Sequence, residues 1–107
     1  MTEEQKQKAL HLLSICINCD PKDAEVFFSY HPRIDCVSIS IYFGGFNQSG
    51  SDENYDAYLN LPGGELRLNE AILAVESIGE RAKDIIEAKD AKRRAKIIKD
   101  YEELINK

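Results

Sequence analysis

Cys16, Cys19, Cys36, His11 and His31 are the side chains of this sequence best suited to nucleophilic or metal chemistry. Cys16-Ile17-Asn18-Cys19 has the C-x-x-C spacing of redox pairs and of zinc half-sites. A redox pair opens a helix, whose dipole lowers the thiol pKa; this one closes a helical stretch, where the dipole opposes a thiolate. His31 and Cys36 complete a Cys₃His zinc set only if all four groups converge at one end of a sheet. With a single cysteine pair the expectation is inert, buried thiols, and no metal or cofactor is assigned. Cys36 near His31 has the residue types of a thiol nucleophile and its base. The two flank a predicted hairpin turn, however, and no third group orients the imidazole. His11 falls among apolar neighbours on a helix, as boundary residues do. No catalytic residue is expected, and hence no enzyme.

Phosphate and cation chemistry fare no better. The segment 44–54, Gly-Gly-Phe-Asn-Gln-Ser-Gly-Ser-Asp-Glu-Asn, exceeds hairpin length, as functional loops often do. No Lys-Ser or Lys-Thr follows its glycines, and the next element reads as a strand, so it is no phosphate loop. Asp52, Glu53, Asn54 and Asp56 offer oxygens without the spacing or turn glycine of a calcium loop. Gly63-Gly64 precedes a helix start that could hold an anion, but Glu65 there repels one. Lys89, Lys92, Arg93, Arg94, Lys96 and Lys99 form the one basic stretch. At about 100° per residue they spread around a helix, and Glu87, Asp90 and Asp100 dilute them, so a solvated face is favoured over a nucleic-acid grip.

The elements that position these groups begin with a capping box, Thr2-Glu3-Glu4-Gln5. Ala9, Leu10, Leu13 and Ile17 make a helical stripe, widened by Leu12 and Cys16, which stops before Pro21. Residues 24–31 read as an aromatic-rich strand, with Val26, Phe28 and Tyr30 on one face and Phe27, Ser29 and His31 on the other. A tight connection at Pro32-Arg33 leads to residues 37–43, where Val37, Ile39, Ile41 and Phe43 alternate with Ser38, Ser40 and Tyr42. Residues 55–61 alternate again and end at Pro62-Gly63-Gly64. From Glu65 the composition is helical: Leu68, Ile72, Val75, Gly79, Ala82 and Ile86 make one stripe, and Ile97, Ile98, Tyr101, Leu104 and Ile105 another. A continuous helix of about forty residues is roughly 60 Å long, too long to pack along its whole length on a domain with a radius of about 13 Å. It either breaks near residues 88–91 or projects. Projection is favoured, because no turn residue interrupts it, and it leaves the second stripe as the expected homodimer contact.

The 107 residues are enough for one α+β domain with one core, spanning 1–107, with 89–107 free to project as a dimerisation helix. The expected order is an N-terminal helix, a three-stranded antiparallel meander and a long C-terminal helix, with the helices over the apolar sheet face. Residues 1–64 hold nine acids against four bases, while 65–107 hold ten of each. An acidic sheet half argues against nonspecific nucleic-acid binding there and suits a basic partner. No stretch reads as a signal peptide or a membrane span, and three cysteines suit reduced thiols in a cytoplasm.

Ile41-Tyr42-Phe43-Gly44-Gly45-Phe46, followed by Tyr55-Asp56-Ala57-Tyr58-Leu59 and a charged C-terminal helix, resembles the small accessory proteins of phages and prophages of low-GC Gram-positive bacteria. The resemblance covers the middle of the chain and implies a host-directed binding role, such as inhibition of a defence protein. It brings no catalytic residues. The expected function is a non-enzymatic, dimeric protein-binding module. Its candidate surface is Ser38, Ser40, Tyr42, Phe46, Asn47, Tyr58 and Asn60. One alternative is a small-ligand binder, for a nucleotide or metabolite, with a pocket formed by Tyr42, Tyr58 and the loop. A second is nucleic-acid binding through the 89–99 helix.

Overall fold

The computed structural model describes residues 1–106. Its order is α1 (Glu3–Ile17), β1 (Ala24–His31), a 3₁₀ turn (Pro32–Ile34), β2 (Cys36–Phe43), β3 (Glu53–Tyr58), α2 (Gly64–Glu76) and α3 (Ile78–Ile105). The strands form one antiparallel sheet in the order β1-β2-β3. This is the α+β meander that the alternating patterns predict.

The capping box forms as the sequence requires. Gln5 N–H donates to Thr2 Oγ1 at 3.1 Å, and Thr2 N–H donates to Gln5 Oε1 at 2.9 Å. The Gln5 side-chain amide also donates to the Leu59 carbonyl at 3.2 Å, which ties the start of α1 to the end of β3. Gln5, Ala9 and Leu12 are the buried side of α1. Leu10 and Ile17, assigned to the core stripe from spacing, are instead 51% and 72% exposed. The helix is rotated by about one position from the reading that its leucines suggest, because Gln5 docks on Leu59.

Val37, Ile39, Ile41 and Phe43 are almost fully buried, and with Leu12, Ala57, Leu59, Leu68, Ala71, Val75, Ile78 and Ala82 they make the core. Each large aliphatic side chain so buried contributes about 1.5–3 kcal/mol. α1 and α2 cover this face, packing on β1 and β3 and on each other. The first residue of α2 is Gly64, where a Cβ would be driven into the Tyr58 carbonyl. Close packing, not an anion, accounts for that glycine. β3 starts two residues earlier than the alternation suggests and ends at Tyr58, leaving Leu59–Leu61 in the turn before α2.

The C-terminal helical span breaks at Ser77, not near 88–91. Ser77 Oγ donates to the Ala74 carbonyl at 3.0 Å, and Arg81 Nη2 donates to the same carbonyl at 2.8 Å. Arg81 Nε also donates to Ser77 Oγ at 2.8 Å, its guanidinium pairs with Glu53 of β3, and it lies 5.2 Å from the centroid of the Phe43 ring. Two side chains thus take up a carbonyl that the helix end leaves free, and one of them anchors the bend to the sheet. Beyond it, α3 holds the sheet only by its first turns, through Ile78, Ala82, Ile85 and Ile86. From Asp90 onward every described residue of α3 is exposed. The molecule measures 62 × 25 × 18 Å, with a radius of gyration of 17.5 Å, against about 13 Å for a compact chain of this length. The helix projects.

Replacing Arg81 by alanine removes the ion pair with Glu53 and one of the two donors to the Ala74 carbonyl, and should destabilise the fold by about 2 kcal/mol. Arg81→Lys should recover less than half of that, because an ammonium cannot span both acceptors. Urea unfolding of the two variants measures both.

Candidate functional site

The sheet has two unlike faces. On the outer face the register sets Glu25, Phe27, Ser29 and His31 of β1 against Tyr42, Ser40, Ser38 and Cys36 of β2. Asn54, Asp56 and Tyr58 of β3 continue those rows. Phe27, Ser29, His31, Asp56 and Tyr58 are exposed, and Ser38, Ser40 and Tyr42 half-buried. Among the described residues no helix lies over this face.

Of the expected surface, Ser38, Ser40, Tyr42 and Tyr58 lie on it, and Phe46 and Asn47 sit in the loop beside it. Asn60 does not join them; it lies in the turn after β3. Tyr42 and Tyr58 do not share a pocket. Tyr58 is opposite Cys36, and Tyr42 is six positions farther along β2, which is roughly 20 Å at ~3.3 Å per residue. Tyr42 gathers a different group. Its ring centroid is 5.1 Å from that of Phe27 and 5.2 Å from that of Phe46, and Phe27 and Phe46 are 5.8 Å apart, all tilted. Phe27 and Phe46 remain 47% and 56% exposed. Phe27 was absent from the expected surface, although β1 alternation already puts it on the Ser29 and His31 side. At mid-sheet, Ser40 Oγ donates to Asn54 Oδ1 at 2.6 Å.

The loop 44–52 returns along α3. Asp52 Oδ2 accepts from Phe43 N–H at 2.8 Å and from Lys89 Nζ at 3.0 Å, while Lys89 also donates to the Phe43 carbonyl at 2.7 Å. Gly44 and Gly45 have φ of 77° and 106°, a region that side chains disfavour. Asp52, Glu53 and Asn54 are therefore committed to Lys89, Arg81 and Ser40, and they do not converge on a cation. A cleft of about 330 Å³ opens between the loop and α3, lined by Lys22, Gly44, Gly45, Phe46, Asn47, Ile86, Lys89 and Arg93, among others. Lys92, Arg93, Arg94, Lys96 and Lys99 make no ion pair among the described residues, and all are exposed.

The cysteines do not assemble. Cys19 lies in the connection between α1 and β1, its thiol 3.7 Å from the Ala24 carbonyl at the start of β1. His31 and Cys36 face each other at the other end of that strand, roughly 23 Å away at ~3.3 Å per residue. Among the described residues no group of three or more His, Cys, Asp or Glu is arranged to hold a metal ion. His31 Nε2 is 3.3 Å from Ser29 Oγ, and Cys36 Sγ is 3.5 Å from Ser38 Oγ. No carboxylate bonds to either. His11 lies 3.6 Å from a Glu76 oxygen on the solvent side of α1 and α2. Burial, with some help from Cys19, raises the Cys16 thiol to about 11, and burial raises Cys19 as well.

No helix among the described residues is long and apolar enough to cross a membrane. Comparison with family models, with curated proteins and with solved structures gave no match.

A thiol with a pKa of about 11 is thiolate to about one part in a thousand at pH 8, against roughly a quarter for an ordinary cysteine. Alkylation of Cys16 by iodoacetamide in the folded protein should be ~100-fold slower than that of free cysteine. It should rise nearly tenfold per pH unit up to pH 10, as mass spectrometry of the Cys16 peptide will show.

Proposed function

We propose that this chain is a non-enzymatic protein-binding module that uses the outer face of its sheet. The observation that carries this reading is the uncovered aromatic cluster of Phe27, Tyr42 and Phe46. Large rings left in solvent beside serine hydroxyls make the kind of surface on which protein contacts concentrate their energy. Glu25, opposite Tyr42, borders the rings, and the acids of the sheet half exceed its bases. The fitting partner is therefore a protein with an apolar patch ringed by Lys or Arg. The host-directed role implied by the phage-protein resemblance is one form of this reading. The free thiols of all three cysteines suit a reducing compartment such as the cytoplasm. Ile97, Ile98, Tyr101, Leu104 and Ile105 are each about 60% exposed at the end of α3, a second apolar stripe open to a partner and the rival site for a second copy.

A small-ligand role is favoured by one observation, the cleft between the loop and α3. Lys22, Lys89 and Arg93 line it against one acid, Asp90, and Lys22 and Arg93 have no ion-pair partner among the described residues, which suits a phosphate-bearing ligand.

Site-specific photo-crosslinking in the cell of origin tests the main reading. A crosslinking residue at Tyr42 or Phe46 should capture one discrete protein, and one at Leu66, equally exposed on α2, should not. Phe27→Ala should reduce the yield at least tenfold. Equal capture from Leu66, or none from either ring position, would discard the reading. A thermal shift with nucleotides that is lost in Arg93→Glu would favour the cleft instead.

A further inference from the structure

We propose that two copies of this chain join by pairing their β1 strands antiparallel about Phe28, which makes one continuous six-stranded sheet. β1 is an edge strand, bonded to β2 alone. The Gly44 N–H donates to the Asp23 carbonyl at 3.1 Å and so extends the β1–β2 ladder by one pair. In an antiparallel ladder such bonded pairs recur every second residue. Glu25, Phe27, Ser29 and His31 therefore direct their backbone groups to β2, and Ala24, Val26, Phe28 and Tyr30 direct theirs outward. Ala24 is already satisfied, its N–H by the Asp20 carbonyl at 3.2 Å and its carbonyl by the Cys19 thiol. No hydrogen bond among the described residues engages the outward backbone groups of Val26, Phe28 and Tyr30.

The opposite edge differs. On β3 the Asn54 carbonyl accepts from Arg67 at 3.0 Å, and the Tyr58 carbonyl accepts from Leu61 N–H at 3.1 Å. β1 has few of the usual protections of an edge: its eight residues pair one to one with β2, with no proline, lysine or bulge, and Glu25 is its one acid. An edge left open in this way is built for another strand.

The sequence of β1 selects a second copy as that strand. Residues facing each other across a dyad must lie on the same side of the sheet, so the axis passes through a residue. About Phe28, each outward residue meets another outward residue: Phe28 meets the partner's Phe28, and Val26 meets the partner's Tyr30. All three exchange both backbone groups. Glu25, the only acid of β1, then meets the partner's His31 on the outer face. An axis through Phe27 would instead set Tyr30 against the already satisfied Ala24.

The flank of α1 continues the contact. Leu10 and Ile17 are 51% and 72% exposed, and with Leu13 they follow one side of the helix. A groove of about 160 Å³, almost wholly apolar, lies between Leu10, Leu13, Phe28 and Tyr30. In the joined sheet both α1 helices lie on the same face, on either side of the axis, with these side chains between them. The contact is isologous and closes at two copies. It depends neither on the α3 stripe nor on the outer-face reading.

Light scattering on a sizing column, with the full chain at about 200 µM, should give twice the 12.1 kDa chain mass. Hydrogen exchange at that concentration should show the Val26, Phe28 and Tyr30 amides protected together with those of Phe27 and Ser29. On dilution only the first three should lose protection. Leu10→Lys, at an exposed position, should raise the dimer dissociation constant at least tenfold. So should Val26→Pro, which removes an outward N–H and spares the β1–β2 ladder. A monomer at 200 µM would overturn the proposal, as would free exchange of the three amides in a dimer. Dimerisation abolished by Ile98→Lys with Tyr101→Lys but untouched by Leu10→Lys would place self-association on α3 and overturn it equally. Protection of the three amides in a monomer only on adding another protein would replace the second copy by a foreign strand.

Discussion

Arg81 holds three parts of this molecule together. Its guanidinium takes the Ala74 carbonyl at the end of α2, the Ser77 hydroxyl at the bend and the Glu53 carboxylate at the start of β3, and it lies over the Phe43 ring. A flat, always charged fork can satisfy acceptors in several directions at once. Ser77 and Gly79 weaken the helix at this point, and Arg81 fixes where it bends. A helix continued straight from α2 would carry Ile78, Ala82 and Ile86 away from the sheet. The bend swings α3 across the Phe43 end, and Lys89 then reaches the Phe43 carbonyl and Asp52 to fasten it there.

That placement also leaves the outer face of the sheet bare. Both α1 and α2 lie on the apolar face, and α3 leaves the domain past the Gly44 corner, where it carries one wall of the loop cleft. Phe27 and Tyr42 of the outer aromatic cluster, and the β1 edge, thus lie on strands fixed by a well-packed core, and Phe46 joins them from the loop. Partners would meet surfaces that need little ordering, which lowers the entropic cost of association.

Much of this was legible in the sequence, for a definable reason. The alternation of Val37, Ile39, Ile41 and Phe43 with Ser38, Ser40 and Tyr42 is a local pattern, and the strand obeys it. The capping box is equally local, and so is the projection of the charged helix. What the sequence hid depends on contacts between distant residues. The bend at Ser77 rests on a bond from Arg81 to Glu53, twenty-eight positions earlier. The rotation of α1 rests on Gln5 reaching Leu59, and the two exposed apolar residues it leaves, Leu10 and Ile17, look like core from spacing alone. β1 carries aromatic rings on both faces, so composition does not say which is left in solvent; alternation puts Phe27 on the outer side, and the register against β2 brings it beside Tyr42. The separation of Tyr42 from Tyr58 follows from the register of β3 against β2.

The projecting part of α3 also sets a distance. From Lys89, the last residue fastened to the sheet, to Tyr101 in the apolar stripe is twelve residues, about 18 Å of helix at ~1.5 Å per residue. A molecule caught at that tip is tethered within a short, stiff reach of the domain. A second contact within that reach would form inside one complex rather than between free molecules, so one too weak to form alone would form readily once the first is made. Inserting or removing two residues in the shaft would turn the tip by about 200° around the helix axis, keeping each contact intact while breaking their cooperation.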